Sequence, residues 1–219
     1  MIISLAEWKG WAPGVNSPED WPALITGQSG LDISQQPDVS FLPAMFRRKL
    51  TPLSRMIFHT VNLLDSKEVL NDIPVVIGSR HGELDISINL ITSEISEIPF
   101  SPAKFSMSVH NSPPGLMSIH YGNRAPANAV SAGRRTLEMS LIEAQAMLHE
   151  NEKCLLIYAD LPLVDIYSEY EDEESFPVCL ALLLDKNAGD LKLIFDNSEN
   201  FSAVNTVTQL CSFSGSRCN

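Results

Sequence analysis

The spacing of apolar and polar residues predicts strands that alternate with helices. Between residues 41 and 66 the apolar positions recur mostly at helical spacing, and Pro52 suits the first turn of the main helix because a proline lacks the N–H that is unpaired there. Residues 73–95 and 121–148 each indicate a strand, a glycine-bearing turn and a helix. The continuous apolar run at residues 153–162 is typical of a strand covered on both faces.

The end of the chain predicts two more strands. Residues 176–185 and 191–196 are apolar segments joined by the turn sequence KNAGD, which favours a C-terminal strand hairpin. Together with the earlier alternation, this pattern predicts an α/β fold with a largely parallel, helix-covered sheet. We expect one domain over residues 1–219, with residues 210–219 as a flexible tail.

The charge balance changes which partners are expected. A net charge of −12 argues against nucleic acid or an anionic membrane as the main partner, although Arg47, Arg48, Lys49 and Arg55 form a local basic patch. The sequence predicts no signal peptide and no membrane span. Cys154 and Cys179 lie in apolar runs and are expected to be free core thiols, which indicates a cytoplasmic protein.

Several kinds of catalytic site do not fit the sequence. His149 and Glu150 do not extend to an HExxH motif, and His110 and His120 have no cysteine or carboxylate placed to complete a metal site, so no metal is expected. The two glycine-rich phosphate-binding fingerprints are absent. The acidic run at residues 169–174 is typical of a solvated loop.

The turn that follows the small-residue strand at 125–132 belongs to a strand–turn–helix pattern in which many enzymes hold a nucleophile, but it carries Arg134 and Arg135. An arginine cannot be deprotonated, and its charge opposes the positive end of the helix dipole. Glu138 is spaced to pair with either arginine. The turn is either a surface helix start with incidental arginines or a scaffold that has lost its chemistry.

Residues 115–148 decide between these interpretations through a resemblance. The run YGNRAP, with Tyr121, Gly122, Arg124 and Pro126, resembles the YG-x-R-G-P run of ketosynthases, with Ala125 in place of glycine. In that family the run leads through a strand of small residues to the active-site cysteine, and the corresponding position here is Arg134. Residues 73–84 resemble the ketosynthase strand and turn that precede the substrate-side helices, and residues 105–122 resemble the helix that leads to the dimer interface.

The resemblance implies a thiolase-like, beta-ketoacyl synthase type layered fold, largely its N-terminal half. The cysteine is replaced, and the histidines that the family carries in its later half have no counterpart, so the chain by itself is not expected to catalyse condensation. It is most similar to short chain-length factors of aryl polyene biosynthesis. That similarity implies a heterodimer with a full-length ketosynthase, only indirect contact with an acyl carrier protein, and no cofactor.

The resemblance also implies where two functional surfaces lie. The segment 104–117 maps to the helix that reaches toward the partner's acyl tunnel, and the strand of small residues maps to the dimer interface. The cavity candidates are Lys104, Phe105, Met107 and His110, and the interface candidates are Ala127, Asn128, Ala129, Val130 and Ser131. The alternative function is a small acyl-transferring or hydrolysing enzyme that uses Ser79 or Ser131 with His81, His110 or His120.

Overall fold

The computed structural model describes residues 2–26, 32, 34–65, 70–95, 101–170, 176–188, 191–194 and 206. Six strands within these residues form one sheet in the order β3-β2-β4-β5-β1-β6. Their bounds are β1 (Ile2–Trp11), β2 (Val75–Gly78), β3 (Ala127–Val130), β4 (Lys153–Asp160), β5 (Val178–Asp185) and β6 (Leu191–Ile194).

The sheet is mixed, so the prediction of a largely parallel sheet was wrong. β2 pairs in parallel with β3 and β4, whereas β4 with β5, β5 with β1, and β1 with β6 are antiparallel pairs. The predicted C-terminal hairpin was also wrong, because β1 lies between β5 and β6. The ten-residue strand β1 is long enough to pair with both, with Trp11 opposite Cys179 and Ile2 opposite Ile194. A short turn shows that two strands are near each other but does not exclude a third strand between them.

Helices pack on both faces of the sheet. Their bounds are α1 (Trp21–Ile25), α2 (Ala44–Arg47), α3 (Pro52–Asn62), α4 (Leu84–Ile95), α5 (Pro102–Met107), α6 (Ser112–Tyr121) and α7 (Thr136–Glu150). The start of α3 is as predicted: Pro52 opens the helix, and the side chain of Thr51 accepts a hydrogen bond from the backbone N–H of Ser54.

The core has two layers that the sheet separates. On one face Phe58 of α3 packs in a cluster with Leu155 and Ile157 of β4. On the other face Leu141 of α7 packs in a cluster with Leu156 of β4. Alternate residues of β4 thus serve opposite layers, which confirms that this apolar run is a strand covered on both faces.

Two further sequence expectations have a structural outcome. Cys154 and Cys179 are buried free thiols in β4 and β5, as predicted, while Cys211, Cys218 and the expected tail at 210–219 lie outside the described residues. Most of the acidic run at 169–174 lies outside them too. Over the ranges that the structure describes, no helix combines the length and the apolar character needed to cross a membrane.

Candidate functional site

Two turns lie side by side where the parallel strands β2 and β3 end. The β2 turn, residues 79–83, leads from β2 into α4, and the β3 turn, residues 131–135, leads from β3 into α7. Because parallel strands end at the same edge of the sheet, both turns meet there. The hydroxyl of Ser131 donates to the carbonyl of Arg80 at 2.8 Å and joins the two turns.

The β2 turn is built around the buried carboxylate of Asp160, at the end of β4. One oxygen accepts from the hydroxyl of Ser79 at 3.2 Å, and the other accepts from the hydroxyl of Tyr158 at 3.0 Å. The backbone N–H of Arg80 lies 3.2 and 3.3 Å from the two oxygens. Burial raises the pKa of Asp160 from its usual range, although these hydrogen bonds and the nearby His81 oppose that shift.

His110 closes the other side of the β2 turn. Its Nε2 lies 3.0 Å from the carbonyl oxygen of Ser79, which requires that this nitrogen carry the proton. The hydroxyl of Ser79 accepts from the backbone N–H of Gly82 at 2.9 Å. Gly82 has φ +55°, and a Cβ there would collide with the ring of His110. The histidine and the turn therefore fit each other only with glycine at this position.

The β3 turn is open to solvent. Gly133 has φ +57° with free space around it, and it begins a short 3₁₀ helix that ends at Arg135. Both arginines are exposed, and Arg135 forms a fork with Glu138, with N–O distances of 2.7 and 2.6 Å. Glu138 therefore pairs with Arg135, which is one of its two predicted partners. The site where the ketosynthase cysteine is expected therefore carries exposed positive charge.

The residues of the YGNRAP run connect α6 to β3. Gly122 ends α6 in the left-handed conformation, with φ +68°. The side chain of Asn123 donates to the carbonyl of Ile73 at 2.8 Å and accepts from the backbone N–H of Ala125 at 2.8 Å. The ring of Tyr121 stacks on Phe58, and burial raises the pKa of its hydroxyl to about 12. These contacts hold the start of β3 against the core.

The described cysteines are poor nucleophiles. Burial raises the pKa values of Cys154 and Cys179 to about 12, so neither is a thiolate at neutral pH. Both lie within strands and not at the start of a helix. Neither residue can therefore replace the missing cysteine of the β3 turn.

The serine and histidine residues of the alternative function lie close together but not in a catalytic arrangement. Ser79 is 2% exposed, and its hydroxyl is occupied by Asp160 and Gly82. The hydroxyl of Ser131 is directed at a backbone carbonyl. His120 lies in an aromatic cluster with Phe46 and Phe58. Within the described residues, neither serine hydroxyl is hydrogen-bonded to a histidine ring. The geometry therefore does not provide the nucleophile–base pair that such an enzyme needs.

The residues predicted to shape an acyl cavity separate into two groups. A cavity of about 780 Å³ lies between α4, α5 and the residues that precede α3, and Lys104 and Met107 line it. Phe105 is 54% exposed and does not line this cavity. His110 lies in the connection between α5 and α6, because segment 104–117 forms two helices and not one.

The predicted interface strand β3 is at one end of the sheet. It pairs with β2, and it has no second neighbour among the described strands. Ala127 and Asn128 are exposed, and Ala129 and Val130 are partly buried. The side chain of Asn128 donates to Glu143 of α7 at 2.6 Å. This edge leaves backbone donors and acceptors available for another strand.

Two buried carboxyl groups were missed by the sequence analysis. Asp160 ends an apolar strand that adjoins β2, so its position beside Ser79 could have been inferred if the order of the strands had been known. Glu83 is 4% exposed and accepts a hydrogen bond of 2.6 Å from the hydroxyl of Thr51. Burial raises the pKa of Glu83 to about 7. Its sequence context, at the start of a predicted helix, is that of an ordinary surface residue.

A family model now identifies the fold. Residues 21–214 match the model described as beta-ketoacyl synthase, N-terminal domain. The chain belongs to this beta-ketoacyl synthase family. No curated protein matches the sequence.

Solved structures agree with this family. A chain from the complex titled "Ketosynthase (ApeO) in Complex with its Chain Length Factor (ApeC)", from Xenorhabdus doucetiae, is 28% identical with a TM-score of 0.73, and the match covers 86% of this chain and 81% of that one. A chain of the ishigamide ketosynthase/chain length factor is 16% identical with a TM-score of 0.63, covering 85% and 62%. The ketosynthase of module 6 of the bacillaene synthase from Bacillus subtilis 168 is 13% identical with a TM-score of 0.59, covering 84% and 37%.

These comparisons confirm the thiolase-like ketosynthase fold that the sequence predicted. The last two similarities establish the fold alone, and this beta-ketoacyl synthase chain spans less than two thirds of either structure. The edge strand β3 and the β3 turn contain the residues for which the sequence resemblance predicts an interface strand and the nucleophile position.

Proposed function

We propose that this chain is the non-catalytic, chain-length-factor subunit of a ketosynthase heterodimer in polyketide-type biosynthesis, specifically of the aryl polyene kind. The observation that carries the proposal is the exposed β3 turn, which holds Arg134 and Arg135 and no cysteine. The sequence resemblance assigns the position of Arg134 to the ketosynthase cysteine. Two of the similar structures are of a ketosynthase together with a chain length factor, which supports the same partner class. Condensation itself is assigned to the full-length ketosynthase.

The partner is proposed to pair with β3. Small side chains at Ala127 and Ala129 permit close approach of another backbone, and an unpaired edge strand otherwise invites aggregation. Copurification with a coexpressed ketosynthase tests this pairing. Ala127→Arg should abolish copurification, because an exposed bulky charge would block the approach of the partner without altering the core.

Ala146→Arg is the matched control for this experiment. Ala146 is also an exposed alanine, but it lies on α7, so the variant should still copurify with the ketosynthase. Equal copurification of both variants would remove β3 from the interface. Condensation by this chain alone would contradict the non-catalytic assignment.

The chain is also proposed to shape the acyl cavity of the partner through α5. Phe105 is exposed in the single chain, so its ring lies at the surface, where a partner's hydrocarbon chain can contact it, and it does not fill the core. Phe105→Ala should then leave the melting temperature of the complex unchanged and lengthen the product, as measured by mass. Ile119→Ala, at a residue of α6 that is 75% exposed, is the control and should change neither quantity.

The acyl carrier protein is proposed to dock mainly on the catalytic partner. Carrier proteins are acidic, and a subunit with net charge −12 repels them at long range. Charge reversal at Arg47 should therefore change carrier affinity little, whereas a large, salt-sensitive loss would assign the dock to this chain. The free thiols of Cys154 and Cys179 fit a cytoplasmic location.

A further inference from the structure

The cavity between α4 and α5 has an unusual charge for this protein. The chain has 27 acidic and 15 basic residues, yet the described residues that line the cavity include three cations and no carboxylate. Among the described residues, the lining consists of Arg48, Lys49, Leu50, Thr51, Ile86, Asn89, Thr92, Ser93, Ala103, Lys104, Ser106 and Met107. Cations that collect around a concave surface in an acidic protein favour an anionic ligand.

The three cations are available for such a ligand. Arg48, Lys49 and Lys104 are exposed, and in the described parts of the chain none of them has a carboxylate within ion-pair distance. They come from two separate elements, the end of α2 and the first turn of α5. Their charges are therefore directed at the cavity and are not cancelled locally.

The nearest buried carboxyl does not neutralise them. Glu83 lies behind the cavity wall, where its Oε1 accepts from the hydroxyl of Thr51. Because burial raises its pKa to about 7, this carboxyl is only about half ionised at neutral pH. The wall that faces the cavity thus remains neutral at Thr51 and positive at the rim.

We propose that this cavity is a binding site for a small, soluble phosphate ester that carries an apolar chain. The phosphate lies among the three cations, with the fork of Arg48 well suited to two of its oxygens. The apolar chain lies on Leu50, Ile86 and Met107. A volume of about 780 Å³ is within the range of small-ligand pockets. A phosphate dianion matches three cations better than a carboxylate does.

This site goes beyond the proposed function and can be tested separately from it. Titration calorimetry on the full chain, copurified with a ketosynthase or alone, uses octyl phosphate as the probe, with octanoate, octanol and inorganic phosphate as comparisons. Octyl phosphate should bind most tightly, and its affinity should fall as the salt concentration rises. Lys104→Ala should weaken binding roughly tenfold, which corresponds to about 1.4 kcal/mol.

Arg124→Ala is the matched control, because it removes an exposed positive charge that does not line the cavity. It should leave the affinity for octyl phosphate unchanged. Equal weakening by Arg124→Ala and Lys104→Ala would overturn the proposal, as would the absence of binding. If octanol or inorganic phosphate bound as tightly as octyl phosphate, the proposal that the ligand needs both a phosphate and an apolar chain would be overturned. Binding only to vesicles that contain phosphatidic acid would assign the cations to a lipid surface and not to a soluble ligand.

None of these results depends on condensation. A chain that binds octyl phosphate but fails to copurify with a ketosynthase would retain this site and lose the proposed function. A chain that copurifies with a ketosynthase but does not bind octyl phosphate would retain the proposed function and lose this site.

Discussion

The β2 turn and the β3 turn occupy equivalent positions after neighbouring parallel strands, and they differ in almost every physical respect. The β2 turn is closed: Ser79, Gly82 and Glu83 are buried, and Asp160 connects the turn to β4. The β3 turn is exposed from residue 131 to residue 135, and its arginine fork is on the surface. We therefore expect the two turns to contribute differently to folding stability.

This difference indicates which of the two turns contributes more to folding stability. Buried polar groups are costly unless they are paired, so the β2 turn depends on a complete set of partners. The β3 turn has a strand–turn–helix path, but its residues are exposed, and an exposed ion pair such as that of Arg135 contributes little. We expect substitutions in the β2 turn to affect folding and those in the β3 turn to be tolerated.

The largest effect is expected from Asp160→Ala. Removing this carboxylate leaves the hydroxyls of Ser79 and Tyr158 and the N–H of Arg80 without their acceptor. Each unpaired buried group costs about 1–3 kcal/mol, so the free energy of unfolding should fall by roughly 3 kcal/mol or more. Urea denaturation of the purified variant measures the loss.

Asp185→Ala is the control for this substitution. Asp185 is also an aspartate at the end of a strand, but it pairs with partly exposed Lys153 at 3.6 Å. Its loss should cost about 0–1 kcal/mol. Equal losses for the two variants would show that the buried network contributes no more than a surface ion pair.

The glycines of the two turns give a second, matched comparison. Gly82 and Gly133 have φ of +55° and +57°, so alanine costs about 1–2 kcal/mol of backbone strain at either position. At Gly82 the new Cβ also collides with His110, which adds about 1–3 kcal/mol, whereas the space around Gly133 is open. Gly82→Ala should therefore lower the free energy of unfolding clearly more than Gly133→Ala does. Similar losses would mean that His110 moves away at no cost.

Glu83 makes the stability of the β2 turn depend on pH. Its pKa is raised to about 7 in the folded chain, from an unfolded value of 4.5. Between these values the folded state holds a proton that the unfolded state has lost, so the free energy of unfolding falls as the pH rises from 4.5 to 7. The full loss is roughly 3 kcal/mol by linkage, at 1.36 kcal/mol for each pH unit of the shift.

Glu83→Gln tests this pH dependence. Glutamine keeps the acceptor for Thr51 but cannot ionise, so the variant should match the parent at pH 5 and be more stable at pH 8. Denaturation at both values measures the difference. Glu138→Gln, in the β3 turn region, is the control: Arg135 lowers the pKa of Glu138, so this variant should show no such gain at pH 8. A gain at pH 8 in both variants would exclude Glu83 as the cause.

How far the sequence predicted these features depends on the range of the interactions. The strand–turn–helix units, the start of α3 at Pro52 and the buried strand β4 follow from local pattern and were predicted correctly. The position of β1 between β5 and β6 depends on pairing across the whole chain, and the hairpin prediction failed there. For the same reason the sequence showed Ser79 but not its partner Asp160, which is 81 residues away.

The smallest effect is expected at the surface of the β3 turn. Arg135 forms its fork with Glu138 in a solvated position, where such pairs contribute about 0–1 kcal/mol. Arg135→Ala should therefore shift the midpoint of urea denaturation only slightly, and Arg134→Cys should shift it no more. The second variant also tests the proposed function, under which a cysteine introduced at position 134 would still lack the histidines that the family resemblance assigns to condensation. A complex that contains Arg134→Cys should gain no second condensing site.

Labelling with iodoacetamide should modify the new thiol, because residue 134 is exposed, while Cys154 and Cys179 stay protected by burial. New condensation activity from this single change would show that the β3 turn still holds a complete catalytic site.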